Sequence, residues 1–192
     1  MNQSLPYMVI DDNFDLNYGL VALVLYKLGL SPKNNAVLDF ERLQIFLYLT
    51  KYPSKINRML QLAGKKYAAI NSRYIYTIES LSTNVDVLFD RAKLKHLLRH
   101  LAVRGMLACD KTSDPKSVKY SLTPEGVRFA EELLKRSDGE VHAPVDFLAS
   151  PPNSDNYFSA VLDVIESLAP LQSQSLSKLN AHLNSIFKGD FN

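Results

Sequence analysis

The stretch from Asp90 to Gly126 constrains the chain most, because three structural elements follow one another there with their end signals intact. Leu94, Leu97, Leu98, Leu101 and Ala102 recur on one helical face, and Gly105 supplies the left-handed residue that closes a helix. Met106 to Cys109 is an extended run, Asp110 to Lys116 is a polar loop around Asp114-Pro115, and Val118, Tyr120 and Leu122 alternate as a second strand. Thr123-Pro124-Glu125-Gly126 then opens another helix, with threonine as N-cap, proline at the first helical position and an acid in the first turn. That helix is expected to reach about Lys135 and to turn Val127, Phe129, Ala130 and Leu133 or Leu134 inward.

Upstream, Asp15 is placed to cap a helix to about Leu28, which Gly29 and Pro32 end. It is apolar nearly all round, which belongs inside a domain or under a partner. Asp39 is placed to cap a helix from Phe40 to about Lys51, with Leu43, Phe46, Leu47 and Thr50 as its core stripe and Phe40 packing at the entry. After Pro53 a short helix runs from Ser54 through Ile56, Met59, Leu60 and Leu62 to Gly64. Between Lys65 and Ser82, Tyr74, Tyr76 and Ile78 alternate with Ile75 and Thr77, a pattern open to a short strand or an extended arm. Gly139, Pro144, Pro151 and Pro152 mark a linker, and two helices are expected beyond it, Ser154 to about Ala169 and Ser175 to about Phe187. The expected organisation is a unit over 1–136, a linker over 137–154 and a C-terminal helical appendage over 155–192.

Several function classes are disfavoured. With 46% hydrophobic and 22% charged residues the chain is too apolar for a disordered protein. One cysteine, Cys109, forms no intramolecular disulfide and builds no cysteine zinc cluster, which suits a reducing compartment. The first fifteen residues carry Asp11, Asp12 and Asp15 without Lys or Arg, unlike a secretory signal, and the apolar run Leu20 to Leu25 is far short of the ~20 residues that span a bilayer. A cytoplasmic location is expected. No glycine-rich loop precedes a Lys-Ser/Thr pair, and His96 and His100 lack the intervening glutamate of a zinc helix. Exposed or phosphate-facing imidazoles, a helix cap at the aspartates and a packed Cys109 are the simpler readings. No catalytic residue, metal site or cofactor is therefore expected, and the chain reads as a non-enzyme.

Charge is segregated although the formal net charge is only +2. From Lys51 to Tyr74 there are six Lys/Arg (Lys51, Lys55, Arg58, Lys65, Lys66, Arg73) and no carboxylate. From Arg91 to Tyr120 there are eight (Arg91, Lys93, Lys95, Arg99, Arg104, Lys111, Lys116, Lys119) against Asp110 and Asp114. The rest of the chain is correspondingly acidic. Such a distribution attracts phosphate while the whole molecule stays nearly neutral. The eight cations of the second window are the expected DNA-contacting residues, on one contiguous surface. Asn, Gln and Ser are scarce on the Arg91 to Arg104 helix, so phosphate contact rather than base reading is expected.

Phe89-Asp90-Arg91-Ala92-Lys93-Leu94-Lys95-His96-Leu97-Leu98, Arg104-Gly105-Met106-Leu107 and Lys119 to Gly126 together resemble a winged helix-turn-helix. With Asn17-Tyr18-Gly19-Leu20, Leu38 to Leu43, Ile78-Glu79-Ser80-Leu81 and Leu88-Phe89-Asp90, residues 14 to 136 resemble a middle component of the bacterial ABC-three-component systems, the group that includes the small accessory subunit of Lamassu antiphage complexes. The resemblance implies a mainly α fold with a small β-hairpin wing and flanking helices. It also implies a non-catalytic adaptor beside an SMC/Rad50-like coiled-coil ATPase and an effector such as a nuclease, contributing to nonspecific binding of double-stranded DNA. Leu20, Val24 and Leu28 on the first helix, and Phe158, Leu162 and Ile165 near the C-terminus, are the expected protein-binding residues. One departure is the long interval between the Ile56 to Leu62 helix and the Asp90 helix, where a helix-turn-helix uses 3–4 residues. Two other functions fit the same residues. A homodimeric transcription regulator would select its site over random DNA by roughly 10³ or more. A purely structural subunit would show no DNA contribution from Lys95, Arg99 or Lys116.

Overall fold

A computed structural model describes residues 14–80, 90–111, 117–135 and 157–189. The fold is organised by its most apolar helix, α1 (Phe14–Leu28), which buries residues all round its circumference, from Tyr18 to Leu25 and at Leu28. Such a helix is stable only when covered on every side, and α1 is packed by four helices and a strand: α2 (Phe40–Lys51), α5 (Arg91–Val103), α6 (Pro124–Lys135), α7 (Tyr157–Glu166) and β3 (Lys119–Leu122). Gly19 permits the closest of these approaches, since a Cβ there would lie 2.7 Å from the Phe158 ring on α7.

The remaining described elements are β1 (Leu38–Asp39), α3 (Ile56–Leu62) after a 3-10 turn at Pro53–Lys55, α4 (Ser72–Ser80), β2 (Leu107–Asp110) and α8 (Leu176–Gly189). Asp39 caps α2 as expected, its Oδ1 accepting from the Arg42 N–H at 2.8 Å. Asp90 caps α5 in the same way, accepting from the Lys93 N–H at 2.7 Å. Gly105, at φ +70°, closes α5 with paired bonds from its own N–H to the Ala102 carbonyl and from the Met106 N–H to the Leu101 carbonyl. Thr123 then joins the next helix to this turn, accepting from the Gly126 N–H while donating to the Gly105 carbonyl.

The hairpin forms with Leu107 opposite Leu122 and Cys109 opposite Tyr120. It does not stand alone. β1 pairs antiparallel with β3, Leu38 opposite Tyr120 and Asp39 opposite Lys119, giving a three-stranded sheet of order β1-β3-β2. Two residues are too few to show an alternating pattern, so β1 leaves no periodic trace in the sequence.

Two other expectations are corrected. The Tyr74–Ile78 segment is neither strand nor arm but lies in α4: Tyr74 and Ile78 are a helical i, i+4 pair, with Ile78 fully buried, Tyr74 half-buried and Tyr76 exposed. Asn71 starts that helix, its side chain accepting from the Arg73 N–H. Ala102, expected on the inner face of α5, is exposed, because Leu94, Leu97, Leu98 and Leu101 already fill the contact.

The C-terminal helices join the same hydrophobic cluster. Val161, Val164 and Ile165 of α7 and Leu179, Leu183 and Ile186 of α8 are buried with the side chains of α1, α2 and α3. Gln172, between them, donates to the Leu28 carbonyl at 2.7 Å and accepts from the Arg42 guanidinium at 3.1 Å. No helix among the described residues is long and apolar enough to cross a membrane.

Candidate nucleic-acid interface

The outer side of α5 is set by its inner one. Four leucines facing α1 leave Ala92, Lys95, His96, Arg99 and Val103 toward solvent. Lys95 and Arg99 are one turn apart, and no carboxylate partner for either occurs among the described residues. Lys111, just past β2, is likewise exposed and without such a partner.

The other cations of the second window have different surroundings. Arg91 is held by Glu41 of α2 through two 2.9 Å bonds, and its guanidinium lies 4.8 Å from the centre of the Phe40 ring. The bonds to Glu41 raise the Arg91 pKa further above its ordinary value. Lys93 lines a narrow crevice between α1, α2 and α5, together with Asp90 and the nearly buried Lys51. Arg104 stacks on Tyr18, 5.5 Å from the ring centre. Lys119 is half-buried in the central strand, with Asp39 opposite it on β1 and Asp110 opposite it on β2.

The eight cations expected on one surface thus differ in their surroundings. Within the chain, Glu41 neutralises Arg91, and the two flanking aspartates lower the field at Lys119. Lys116 and the tip of the hairpin lie outside the described residues, as do Asp11, Asp12 and the linker over 137–154. Exposed lysine and arginine near one another and without a neutralising carboxylate are what phosphate attracts, and on this account Lys95 and Arg99 are the strongest pair.

The expected protein-binding residues fall into two groups. Leu20, Val24 and Leu28 are at most 1% exposed, and Ile165 is fully buried. Their apolar surface is covered by the chain's own helices, chiefly α1 against α7. Phe158 and Leu162 are half-buried, Phe158 against Gly19.

His96 and His100 do meet, with ring centres 4.4 Å apart, but Phe14 packs edge-on against both. Among the described residues no group of three or more His, Cys, Asp or Glu gathers to hold a metal ion. Burial raises the Tyr18 pKa, with Arg104 opposing the rise; burial also raises that of Tyr120, helped by Cys109 and Asp39. The sequence gives no local signal for Glu41 as the partner of Arg91, fifty positions away, because the contact exists only once α2 and α5 are packed.

Residues 28–139, more than half of the chain, match the family model of the ABC-three component (ABC-3C) system Middle Component 4. The chain belongs to this family. No curated protein and no solved structure matches it. As a middle component it has an accessory role in a multi-component complex and works with protein partners. The matched region of the middle component runs from the end of α1 to just beyond α6 and so contains the sheet, α5 and every cation discussed above. The body of α1 and the helices α7 and α8 lie outside it.

Proposed function

We propose that this middle component is a non-catalytic, cytoplasmic accessory subunit of a Lamassu-like antiphage complex. In this reading it bridges an SMC/Rad50-like coiled-coil ATPase and an effector such as a nuclease, and adds sequence-nonspecific contacts to duplex DNA. Membership of the middle-component family carries the proposal. The DNA half is supported by Lys95 and Arg99 on the outer face of α5 and by Lys111 beyond β2, all exposed. A winged-helix reading of the fold is supported by the element order, in which a short strand before α2 pairs with the second strand of the hairpin that follows α5. Lysines and arginines without side-chain amides beside them favour backbone contact over base reading.

The test is co-expression with the partner subunits, followed by duplex binding of the purified complex with and without Lys95→Glu and Arg99→Glu. The pair of reversals is expected to weaken binding about tenfold or more and to flatten the salt dependence by about two counterions. Unchanged affinity removes DNA from the proposal. A chain that fails to co-purify with an ATPase at moderate salt removes the accessory role beside one.

A further inference from the structure

Among the described residues the outer edge of β2 has no strand against it, since the sheet order is β1-β3-β2. The strand at the opposite edge, β1, is two residues long and runs directly into α2. Which backbone groups of β2 point outward follows from the register. The Thr123 N–H donates to the Met106 carbonyl at 3.1 Å, and these two residues continue the ladder one step beyond Leu107 and Leu122. Met106 and Thr123 are therefore a hydrogen-bonded pair, and bonded and non-bonded pairs alternate in an antiparallel ladder. Ala108 and Asp110 thus bond to β3, while Leu107 and Cys109 turn their N–H and C=O groups away from it. The pairing of Leu38 with Tyr120 on the far side of β3 has the matching parity. No partner for the outward backbone groups of Leu107 and Cys109 occurs among the described residues.

Donor and acceptor on one residue, repeated two residues later along a strand, are the complement of a second extended backbone. A single side chain satisfies one or two of these groups, whereas a strand satisfies all four. The side chains here leave room for one: Ala108 is a single methyl group, and Cys109 is small and exposed. Charge distinguishes the occupants. Lys111, the residue after β2, is exposed and without a carboxylate partner, whereas Asp110 lies opposite Lys119. A second copy of β2 brings Lys111 no further carboxylate, because Asp110 is the only acid of that strand. An acidic segment of another protein does.

We propose that an extended, acidic segment of a partner subunit adds to the sheet as a fourth strand, hydrogen-bonding to Leu107 and Cys109 and setting a carboxylate beside Lys111. The inference rests on the accessory role given above and specifies how the partner is held. It also narrows the duplex contact to Lys95 and Arg99 of α5. Main-chain bonds supply the affinity of such a contact, and the charge beside Lys111 supplies part of its selectivity.

The test uses the full chain, alone and co-purified with the co-expressed ATPase and effector subunits, and follows amide hydrogen exchange residue by residue. In the free chain the Ala108 and Asp110 amides should exchange slowly and those of Leu107 and Cys109 fast. In the complex the Leu107 and Cys109 amides should slow at least about tenfold. Cys109→Pro removes an outward N–H without touching a bond to β3, a position at which a strand accepts proline. It should melt like wild type and weaken the complex at least about tenfold, whereas Cys109→Ala should change neither. Lys111→Glu should weaken the complex severalfold, and more so at low salt. The proposal is overturned if the two amides exchange in the complex as they do in the free chain, a result that does not depend on any variant folding. It is equally overturned if a folded Cys109→Pro chain or the Lys111→Glu chain binds like wild type, or if Cys109→Ala weakens the complex as much as proline does. Dimers of the chain alone, with both amides protected, would give the edge to a second copy and overturn it too. A wild-type chain that does not co-purify removes the accessory role and this inference together. Unchanged exchange in a complex that does form removes this inference alone.

Discussion

Tyr18 and Tyr120 show how single residues carry the packing into a measurable property. Both phenols lie against the core, Tyr18 between α1 and α6 and Tyr120 in the central strand, and burial raises both pKa values. A phenolate is charged, so the native state holds its proton more tightly than the unfolded chain, where the pKa is near 10.0. Below that pH both states are protonated and the two groups give stability no slope. Above it the unfolded chain loses protons first, and stability falls as pH rises toward the raised native values. Unfolding free energy measured from pH 8 to 11.5 should therefore decline more steeply above pH 10 in wild type than in Tyr18→Phe with Tyr120→Phe, while the difference between the proteins stays constant below pH 10. Equal slopes would mean that these phenols are not shielded from water. Among the cations, the sequence showed where positive charge is concentrated but not which charges are neutralised: Glu41 reaches Arg91 from another helix, and Asp39 and Asp110 come opposite Lys119 only by strand register.

At the scale of elements, legibility followed from how local the determining signal is. The cap at Asp39, the Gly105 closure, the leucine stripe of α5 and the hairpin all rest on contacts within a few residues, and each was readable. β1 was not, because its only cause is an open edge on β3, eighty residues later. α4 was misread because Tyr, Ile and Thr favour strands, while its helical state is fixed by the burial of Ile78 and by Asn71 at its start. Asp39 belongs to two elements at once, ending β1 and capping α2, with its second carboxylate oxygen 3.6 Å from the Arg42 Nε. Asp39→Ala should cost about 1–2 kcal/mol of unfolding free energy in urea titration. Asp39→Asn keeps an acceptor for the Arg42 N–H and should recover most of that loss. If the asparagine variant is as weak as the alanine one, the ion pair and not the cap is what matters.

For the whole molecule, the question is whether α7 and α8 are an attachment or part of the core. Val161, Val164, Ile165, Leu168, Leu171 and Leu179 are fully buried, and Leu183 and Ile186 nearly so. Each such side chain contributes about 1.5–3 kcal/mol when removed from water, against the roughly 5–15 kcal/mol by which a domain is stable at all. Deleting the helices also removes the entropic cost of ordering them, so their own lost burial does not decide the outcome. The surface they leave behind does: α1 is apolar on every side, Gly19 is matched to the Phe158 ring, and Leu28 is tied to Gln172 by its carbonyl. Without α7 one side of α1 meets water along its length, and without α8 so do parts of α2 and α3. A chain ending at residue 136 should therefore lose its cooperative thermal transition and bind a hydrophobic dye, whereas a chain ending at residue 189 should melt like the full protein. Cooperative melting of the shorter chain would show instead that the elements up to α6 hold their own core. The family match, which stops shortly after α6, would then mark a physical boundary as well as a sequence one.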